Sequence, residues 1–391
     1  NCSAELTLTG PYCGDGFLDP EEICDDGNSV QEMECEYGSR SCSACGEDCQ
    51  QETQLVGGYC GDNICQPEEL PSQCREDCNA IHTLPLCNDT LEESFSLNNI
   101  DPPIPNSNGY EPPGLTVEQL ITISVDILIF STDANAARES VEQGPGSDFD
   151  YILCRDPEDI MVARWEPRLE GKGSARFALR LGNARPAIVG IPHGKYENLV
   201  MRQGVELFQN LGLRALIVNG SHRCANQDGG TCSGTTSVCG EQGPYRTSDV
   251  AHVDNTIFQW AHEIFTSRFS TDLVLSIHGK FGSGINLSNG TKNETNENSP
   301  IAKLVLALNS ILSQEQESIR SCNPFPGAPQ ITNNLCGTTN IQGRMLNFSP
   351  APCSQGAPLA SDRFIYIEQS ADIRSNYRTY IESALSSVIP D

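Results

Sequence analysis

The sequence predicts an α/β domain with a mostly parallel or mixed sheet and helices on both faces, preceded by two small disulfide-rich modules. From about residue 117 onward, short apolar segments alternate with amphipathic ones, as buried strands and covering helices do. Twelve of the 19 cysteines lie before residue 88 of the 391-residue chain. A cysteine-dense segment beside a cysteine-poor one indicates small stapled modules joined to a larger domain.

The elements of the larger domain follow from this alternation. The predicted strands are QLITISVDILIFST, ARFALRLG, PAIVGIP, LRALIVNG, DLVLSIHG and RFIYIEQS. Helices are predicted from Glu197 to Leu211, His252 to Arg268, Ile301 to Ser321, and Ile373 to Ser387. Since open parallel sheets place their chemistry beyond the carboxyl ends of the strands, those ends are the place to look for a site.

The N-terminal part contains an internal repeat. CGDGFLDPEE begins at residue 13 and CGDNICQPEE at residue 60. Together these stretches resemble the short cysteine-rich repeats, C-G-D-G…E-x-C-D-D-G-N, of many secreted proteins, over roughly residues 12–78. We therefore expect modules at 1–58 and 59–87, a proline-rich linker or surface strap at 88–116, and the α/β domain at 117–391. The odd cysteine count predicts at least one unpaired thiol.

Acidic side chains cluster in the first repeat and raise the question of calcium. The candidate oxygen ligands are Asp15, Asp19, Glu22, Asp25 and Asp26. Carboxylates close in sequence can hold Ca²⁺, but Asp-Gly and Asp-Asp-Gly-Asn are also ordinary turn formers. Turn formation is the preferred interpretation.

The charge distribution excludes one class of partner. The formal net charge is −28, and residues 1–114 contain 23 acidic residues against Arg40 and Arg75. Nucleic-acid binding needs basic patches, so we do not expect it. No apolar run is long enough to span a bilayer. We expect a mature secreted protein, extracellular or at the cell surface, whose modules serve self-assembly or tethering.

Potential glycosylation sites support a secretory route. Asn-x-Ser/Thr triplets begin at Asn1, Asn88, Asn219, Asn286, Asn289, Asn293 and Asn347. A glycan requires a surface position, so we expect the loop NLSNGTKNET to be exposed.

Three predicted strand ends carry the residues that a hydrolytic zinc site needs. His193 follows PAIVGIP and precedes Glu197, His278 ends DLVLSIHG, and Glu368 lies in RFIYIEQS. Catalytic zinc commonly has three protein ligands of these types. His193, Glu197 and His278 are the candidate ligands, and Glu368 is the candidate base that takes a proton from water.

These motifs resemble the superfamily of zinc carboxypeptidases, succinylglutamate desuccinylases and N-formylglutamate amidohydrolases, over about residues 185–370. The resemblance implies a Zn²⁺ cofactor and a peptide or small carboxylated amide as substrate. VNGSHRCANQ corresponds in place to the family's carboxylate-binding segment, with Arg223 favoured over Asn226. The family spacing is H-x-x-E, whereas His193 and Glu197 are one residue further apart, so Glu197 faces either the site or solvent.

The stretch YRTSDVAHVDN admits two interpretations. Asp249 and His252 are one helical turn apart, and a helix cap by Ser248 or Asp249 is favoured over a direct role. The later cysteines are expected mostly to pair, with Cys224, Cys232 and Cys239 stapling a loop beside the site.

The favoured function is a secreted zinc-dependent hydrolase of an amide or peptide bond next to a carboxylate-bearing group. One alternative is an extracellular structural protein, such as a glycosylated filament, sheath or surface-layer subunit, that retains the fold as a scaffold. Another is a carbohydrate- or peptide-binding module without chemistry.

Overall fold

The computed structural model describes residues 13–30, 32, 35, 38–59, 87, 90–95, 104–111, 149–155, 161–167, 173, 175–180 and 184–390. The chain divides into two compact units, Asn1–Thr83 and Leu84–Asp391. The predicted second module, except for residues 59 and 87, and the predicted strand at 119–132 lie outside the described residues.

The described part of the first unit is a hairpin held by nested disulfides. Strands β1 (Ser41–Cys45) and β2 (Glu52–Val56) pair antiparallel. The disulfides are Cys13–Cys49, Cys24–Cys45 and Cys35–Cys42. Each disulfide encloses the next one in sequence. These covalent bonds stabilise a segment that is too short to form an apolar core of its own.

The acidic side chains of this unit bond to the backbone. Asp25 accepts hydrogen bonds from the backbone N–H groups of Gly14, Asp15, Gly16 and Gly27 at 2.8–3.1 Å. Asp26 accepts one from Cys45 N–H at 2.8 Å. Carboxylate oxygens occupied by backbone donors shape turns, and this favours the turn-forming interpretation over a calcium site.

The second unit is built on a nine-stranded mixed sheet in the order β12-β11-β13-β10-β6-β7-β5-β4-β3. The strands are β3 (Phe149–Arg155), β4 (Met161–Pro167), β5 (Arg176–Arg180), β6 (Arg185–Ile191), β7 (Leu213–Val218), β10 (Leu273–Gly279), β11 (Ile285–Ser288), β12 (Ile319–Ser321) and β13 (Phe364–Gln369). A separate small hairpin consists of β8 (Thr235–Thr236) and β9 (Gly243–Pro244).

The four central strands are parallel. β13, β10, β6 and β7 pair in parallel register, whereas β11 and β5 on either side are antiparallel to their central neighbours. The carboxyl ends of the four central strands therefore lie along one edge of the sheet, and this confirms the predicted fold class.

Helices cover both faces, as predicted. They are α1 (Leu91–Phe95), α2 (Val200–Asn210), α3 (Ile257–Arg268), α4 (Pro300–Leu312), α5 (Ile341–Leu346), α6 (Ala371–Asn376) and α7 (Arg378–Ser386). In β6, Val189 packs in the core formed with α2, α4 and α7, whereas Ile188 packs in the core formed with α3. This alternation is the two-residue period of a strand buried on both sides.

Two helices start later than the apolar pattern predicts. α2 begins at Val200 rather than Glu197, because Leu199 is in the left-handed region with φ 67°. α3 begins at Ile257 rather than His252, after Thr256, whose side chain accepts a hydrogen bond from Gln259 N–H. The residues between the strand ends and these helices are free to form the site.

The segment predicted as a linker or strap contacts the α/β unit where it is described. Tyr110 is buried, and the backbone N–H groups of Asn106 and Asn108 donate to the carbonyls of Cys224 and Ala225. Part of this segment therefore lies along the loop that follows β7.

The seven cysteines after residue 88 are all paired. The bonds are Cys87–Cys154, Cys224–Cys239, Cys232–Cys353 and Cys322–Cys336. Three of them staple the loops beyond the carboxyl ends of the central strands, as expected for a protein from an oxidising compartment. Among the residues described, no helix combines the length and the apolarity needed to cross a bilayer.

Four of the predicted glycosylation sites are buried. They are Asn219, Asn286, Asn289 and Asn347. Their side chains hydrogen-bond inside the domain: Asn347, for example, donates from Nδ2 to the carbonyl of Asn289 at 2.7 Å. A bulky glycan does not fit there, so the prediction is wrong at these four positions. Asn293 is exposed; Asn1 and Asn88 lie outside the described residues.

His262 makes the stability of the second unit sensitive to acid. It is buried in α3, and its Nε2 has no hydrogen-bond partner among the residues that the structure describes. Burial, with the nearby Arg363 cation, lowers its pKa to about 3, against a backbone hydrogen bond that raises it. Below about pH 6.5 the unfolded chain therefore binds a proton that the folded chain does not, so stability falls as the pH drops.

We predict that His262→Gln removes this contribution. Between pH 7 and pH 5 the free energy of unfolding of the wild type should fall by roughly 2 kcal/mol more than that of the variant. Urea unfolding at several pH values measures the difference. If the difference in the free energy of unfolding between the two proteins stayed constant over this pH range, His262 would not be the source of the acid sensitivity.

Candidate metal centre

Four adjacent parallel strands bring the predicted site residues to one edge of the sheet. His193 follows β6, and Arg223 lies in the loop after β7. His278 and Glu368 are the penultimate residues of β10 and β13 and are paired in register. The order of the strands therefore brings together residues that are far apart in sequence. His193 and Glu368, for example, are 175 residues apart.

Glu197 faces the site, not solvent. The backbone N–H of Glu197 donates to the carbonyl of His193 at 2.8 Å, forming one turn. Residues four apart on such a turn share a side, and Glu197 Oε1 lies 3.0 Å from His193 Nδ1. Both side chains are buried. The spacing of four thus brings the two side chains together.

His278 completes a three-residue cluster. Its Nδ1 lies 3.7 Å from Glu197 Oε2, and the His193 and His278 rings have centroids 5.0 Å apart. The backbone N–H of Gly279 donates to Glu197 Oε2 at 2.8 Å, which fixes the carboxylate between the rings. One potential ligand atom from each of His193, Glu197 and His278 lies within 4.8 Å of the other two.

The far sides of both rings are held by other groups. His193 Nε2 is 2.8 Å from Asp249 Oδ1, and His278 Nε2 is 2.9 Å from Ser276 Oγ. Histidines that ligate a metal usually have the second ring nitrogen held in this way. Two imidazoles and one carboxylate are also a donor set of catalytic zinc. The residues present therefore fit a zinc ion.

Asp249 is not a helix cap, so that prediction is wrong. Helix α3 starts eight residues later, whereas the Asp249 carboxylate is fully buried. It accepts from Arg223 Nη2 at 2.6 Å and Nε at 3.1 Å, in addition to its contact with His193. Burial alone would raise the pKa of Asp249, but the Arg223 cation and the neighbouring histidines outweigh burial and hold this pKa well below its usual value.

Arg223 lies at the site, but most of its donors are committed. Nε and Nη2 bond to Asp249, and Nη1 lies 3.4 Å from His193 Nδ1 and 3.9 Å from Glu197 Oε1. A bidentate grip on a substrate carboxylate needs two parallel N–H groups. Arg223 offers at most Nη1, so the predicted clamp is not assembled as expected.

Asn226 does not face the site, and its predicted role in substrate binding is wrong. Its Oδ1 accepts from Tyr110 N–H at 3.1 Å. Its Nδ2 donates to the Tyr110 carbonyl and to Thr247 Oγ1, each at 2.9 Å. The side chain amide is used to hold residues 104–111 against the domain.

Glu368 has surroundings unlike those of Glu197. Its Oε1 accepts a hydrogen bond from the Tyr366 hydroxyl at 2.7 Å. Burial and the Glu197 carboxylate raise the pKa of Glu368 to about 8, although the Tyr366 bond and the nearby cations lower it. A carboxyl group with a pKa near neutrality can both accept and donate a proton.

A cavity of about 280 Å³ opens beside the cluster. His193, His278 and Glu368 line this cavity together with residues of the disulfide-stapled loops, such as Val238 and Leu335. His252 and Tyr245 also line the cavity, and their rings stack with centroids 3.8 Å apart. Burial lowers the pKa of His252 to about 4, so this ring is neutral near pH 7.

Comparisons with known proteins do not assign a function to the chain, so the assignment has to come from the geometry of the site. No protein-family model matches the chain, and no curated protein matches it in sequence. Among solved structures, a bacteriophage poly-gamma-glutamate hydrolase is similar with a TM-score of 0.30 and 10% identity, over 56% of this chain and 90% of that one.

We predict that the full chain binds about one zinc ion and that His193→Ala and His278→Ala abolish tight binding, because each removes one of three ligands. His262→Gln is the matched control, since His262 is buried but lies outside the cluster. Zinc content after dialysis, measured by mass spectrometry, gives the answer. Wild-type zinc content in either alanine variant would refute the ligand assignment.

Asp249→Asn should weaken zinc binding by about 10–100-fold without abolishing it, because the carboxylate holds His193 but is not itself a ligand. Competition with a chelator measures the dissociation constant, and circular dichroism checks that the fold is retained. An unchanged constant in a folded variant would mean that Asp249 does not position His193.

Proposed function

We propose that the chain is a secreted zinc-dependent hydrolase that cleaves an amide or peptide bond next to a carboxylate-bearing group. One observation carries the proposal: the cluster of His193, Glu197 and His278 shares a cavity with the separate carboxyl group of Glu368. Metal-assisted hydrolysis needs both a set of ligands and a nearby proton acceptor.

His193, Glu197 and His278 would hold the zinc ion, with Asp249 and Ser276 orienting the two rings. When bound there, zinc polarises a carbonyl group and lowers the pKa of water. The ring orientation is fixed before any substrate enters, since both far nitrogens have buried partners. Such pre-organisation lets a site act without rearranging during the reaction.

Glu368 would act as the base. Its carboxylate takes a proton from the water whose oxygen attacks the carbonyl carbon of the substrate. It then delivers this proton to the leaving nitrogen as the C–N bond breaks, so that it returns to its starting state. The Tyr366 hydroxyl bonded to Glu368 fixes the orientation of the carboxylate throughout.

Arg223 would contribute a positive charge rather than a clamp. Asp249 holds its Nε and Nη2, so Nη1 is the donor directed at the cluster. A fixed cation beside the reacting carbonyl stabilises the negative charge that develops on its oxygen.

Glu368 also separates this proposal from the alternatives. A binding module or a structural scaffold gains nothing from a buried carboxyl group beside a set of metal ligands, since burying an ionisable group costs free energy. The paired cysteines support secretion.

We predict that Glu368→Gln lowers kcat by about 10²- to 10⁴-fold, the usual contribution of a general base, while the zinc content is unchanged. Glu294→Gln, at an exposed position, is the control and should behave as the wild type. Cleavage of acetylated peptides, followed by mass spectrometry, provides the rates. Full activity of the Glu368 variant, or no amide cleavage by the zinc-loaded wild type, would contradict the proposal.

A further inference from the structure

The cavity beside the cluster has a second cation at its outer end. Lys292 lines the same cavity as His193 and Glu368, and its side chain is exposed. Within the part of the chain that the structure describes, Lys292 makes no ion pair or hydrogen bond. Arg223, the other cation of this cavity, is already paired with Asp249.

The loop that presents Lys292 is rigid. Asn323 is fully buried, and its Nδ2 donates to the carbonyls of Thr291 and Asn293, the two residues that flank Lys292, at 3.2 and 3.0 Å. Asn289 Oδ1 also accepts from Thr291 N–H at 3.0 Å. The backbone at Lys292 is therefore fixed before a ligand binds, which lowers the entropy cost of binding.

These bonds also give structural roles to the asparagines Asn289 and Asn293 of the loop NLSNGTKNET. The amide of Asn289 holds the loop from inside, and Asn293 Nδ2 donates to the carbonyl of Pro358. The polar residues of the loop thus build a support, and the lysine between them is left facing the cavity.

We propose that Lys292 determines specificity by binding a carboxylate of the substrate, so that the preferred substrates are acidic peptides or acidic amides. This inference rests on the proposed function and replaces the predicted Arg223 clamp. The chain has a formal net charge of −28, so its overall field repels an anionic substrate. A local cation at the mouth outweighs distant charges, because salt screens those beyond about 8–10 Å.

The test uses acetylated five-residue alanine peptides with a single Glu at each position in turn, and their Gln counterparts, each with a free and an amidated C-terminus. The zinc-loaded wild type should cleave the best Glu peptide roughly two- to fivefold more efficiently than its Gln partner, the range expected of one exposed ion pair. The difference should lie mainly in KM and should shrink at high salt.

Lys292→Gln should remove this preference and its salt dependence, and Lys292→Glu should reverse the preference. Lys303→Gln, an exposed lysine of α4 outside the cavity, should leave it unchanged. Equal cleavage of Glu and Gln peptides by the wild type, or an unchanged preference in Lys292→Gln, would overturn the inference while leaving the hydrolase proposal intact.

Binding to the Glu368→Gln variant separates the two proposals. Its dissociation constants for the same peptides, measured by calorimetry, should show the Glu preference, and a second substitution of Lys292 by Gln should remove it. If this preference is present but the wild type cleaves no peptide, Lys292 binds acidic ligands but the hydrolase proposal fails. If neither cleavage nor preferential binding is observed, both are wrong.

Discussion

The candidate site depends on the contacts that the Asp249 carboxylate makes with His193 and Arg223. This carboxylate is fully buried and bonds both Arg223 and His193, which come from the ends of different strands. A buried charge is tolerated only when it is paired, and removing one partner of such a pair typically costs about 3–5 kcal/mol. Asp249 therefore holds the loops after β6 and β7 together, aims His193 Nδ1 at Glu197, and takes up the donors of Arg223 that were expected to bind substrate.

The sequence predicts the positions of the site residues because parallel strands end at a common edge. His193, His278 and Glu368 were identified from short apolar runs, and the structure places all three around one cavity. Strands β4 and β11, each next to an edge strand of the sheet, are not predicted, because MVARWEP contains charged residues and INLS is short. Their pattern is not the continuous apolar run of a buried parallel strand.

Other features depend on tertiary contacts that local sequence does not reveal. Asp249 precedes a helix by the right residue types for a cap, and only its burial against Arg223 shows another role. Asn226 likewise resembles a ligand-binding amide but bonds to Tyr110, more than 100 residues earlier. Asn289 and Asn347 match the glycosylation triplet, yet their side chains are internal structural groups. The same polar residue types occur on the surface and in buried hydrogen-bond networks. Their hydrogen-bond partners in the folded chain determine which of the two environments a given residue occupies.

A zinc-edge anomalous diffraction map of the crystallised full chain would show directly whether His193, Glu197 and His278 bind a common metal ion. We expect one strong peak in contact with Nδ1 of His193, Nδ1 of His278 and the carboxylate of Glu197, with Glu368 nearby but not a ligand. Zinc bound elsewhere, or no peak among these three residues after soaking in zinc, would show that they do not form a zinc site.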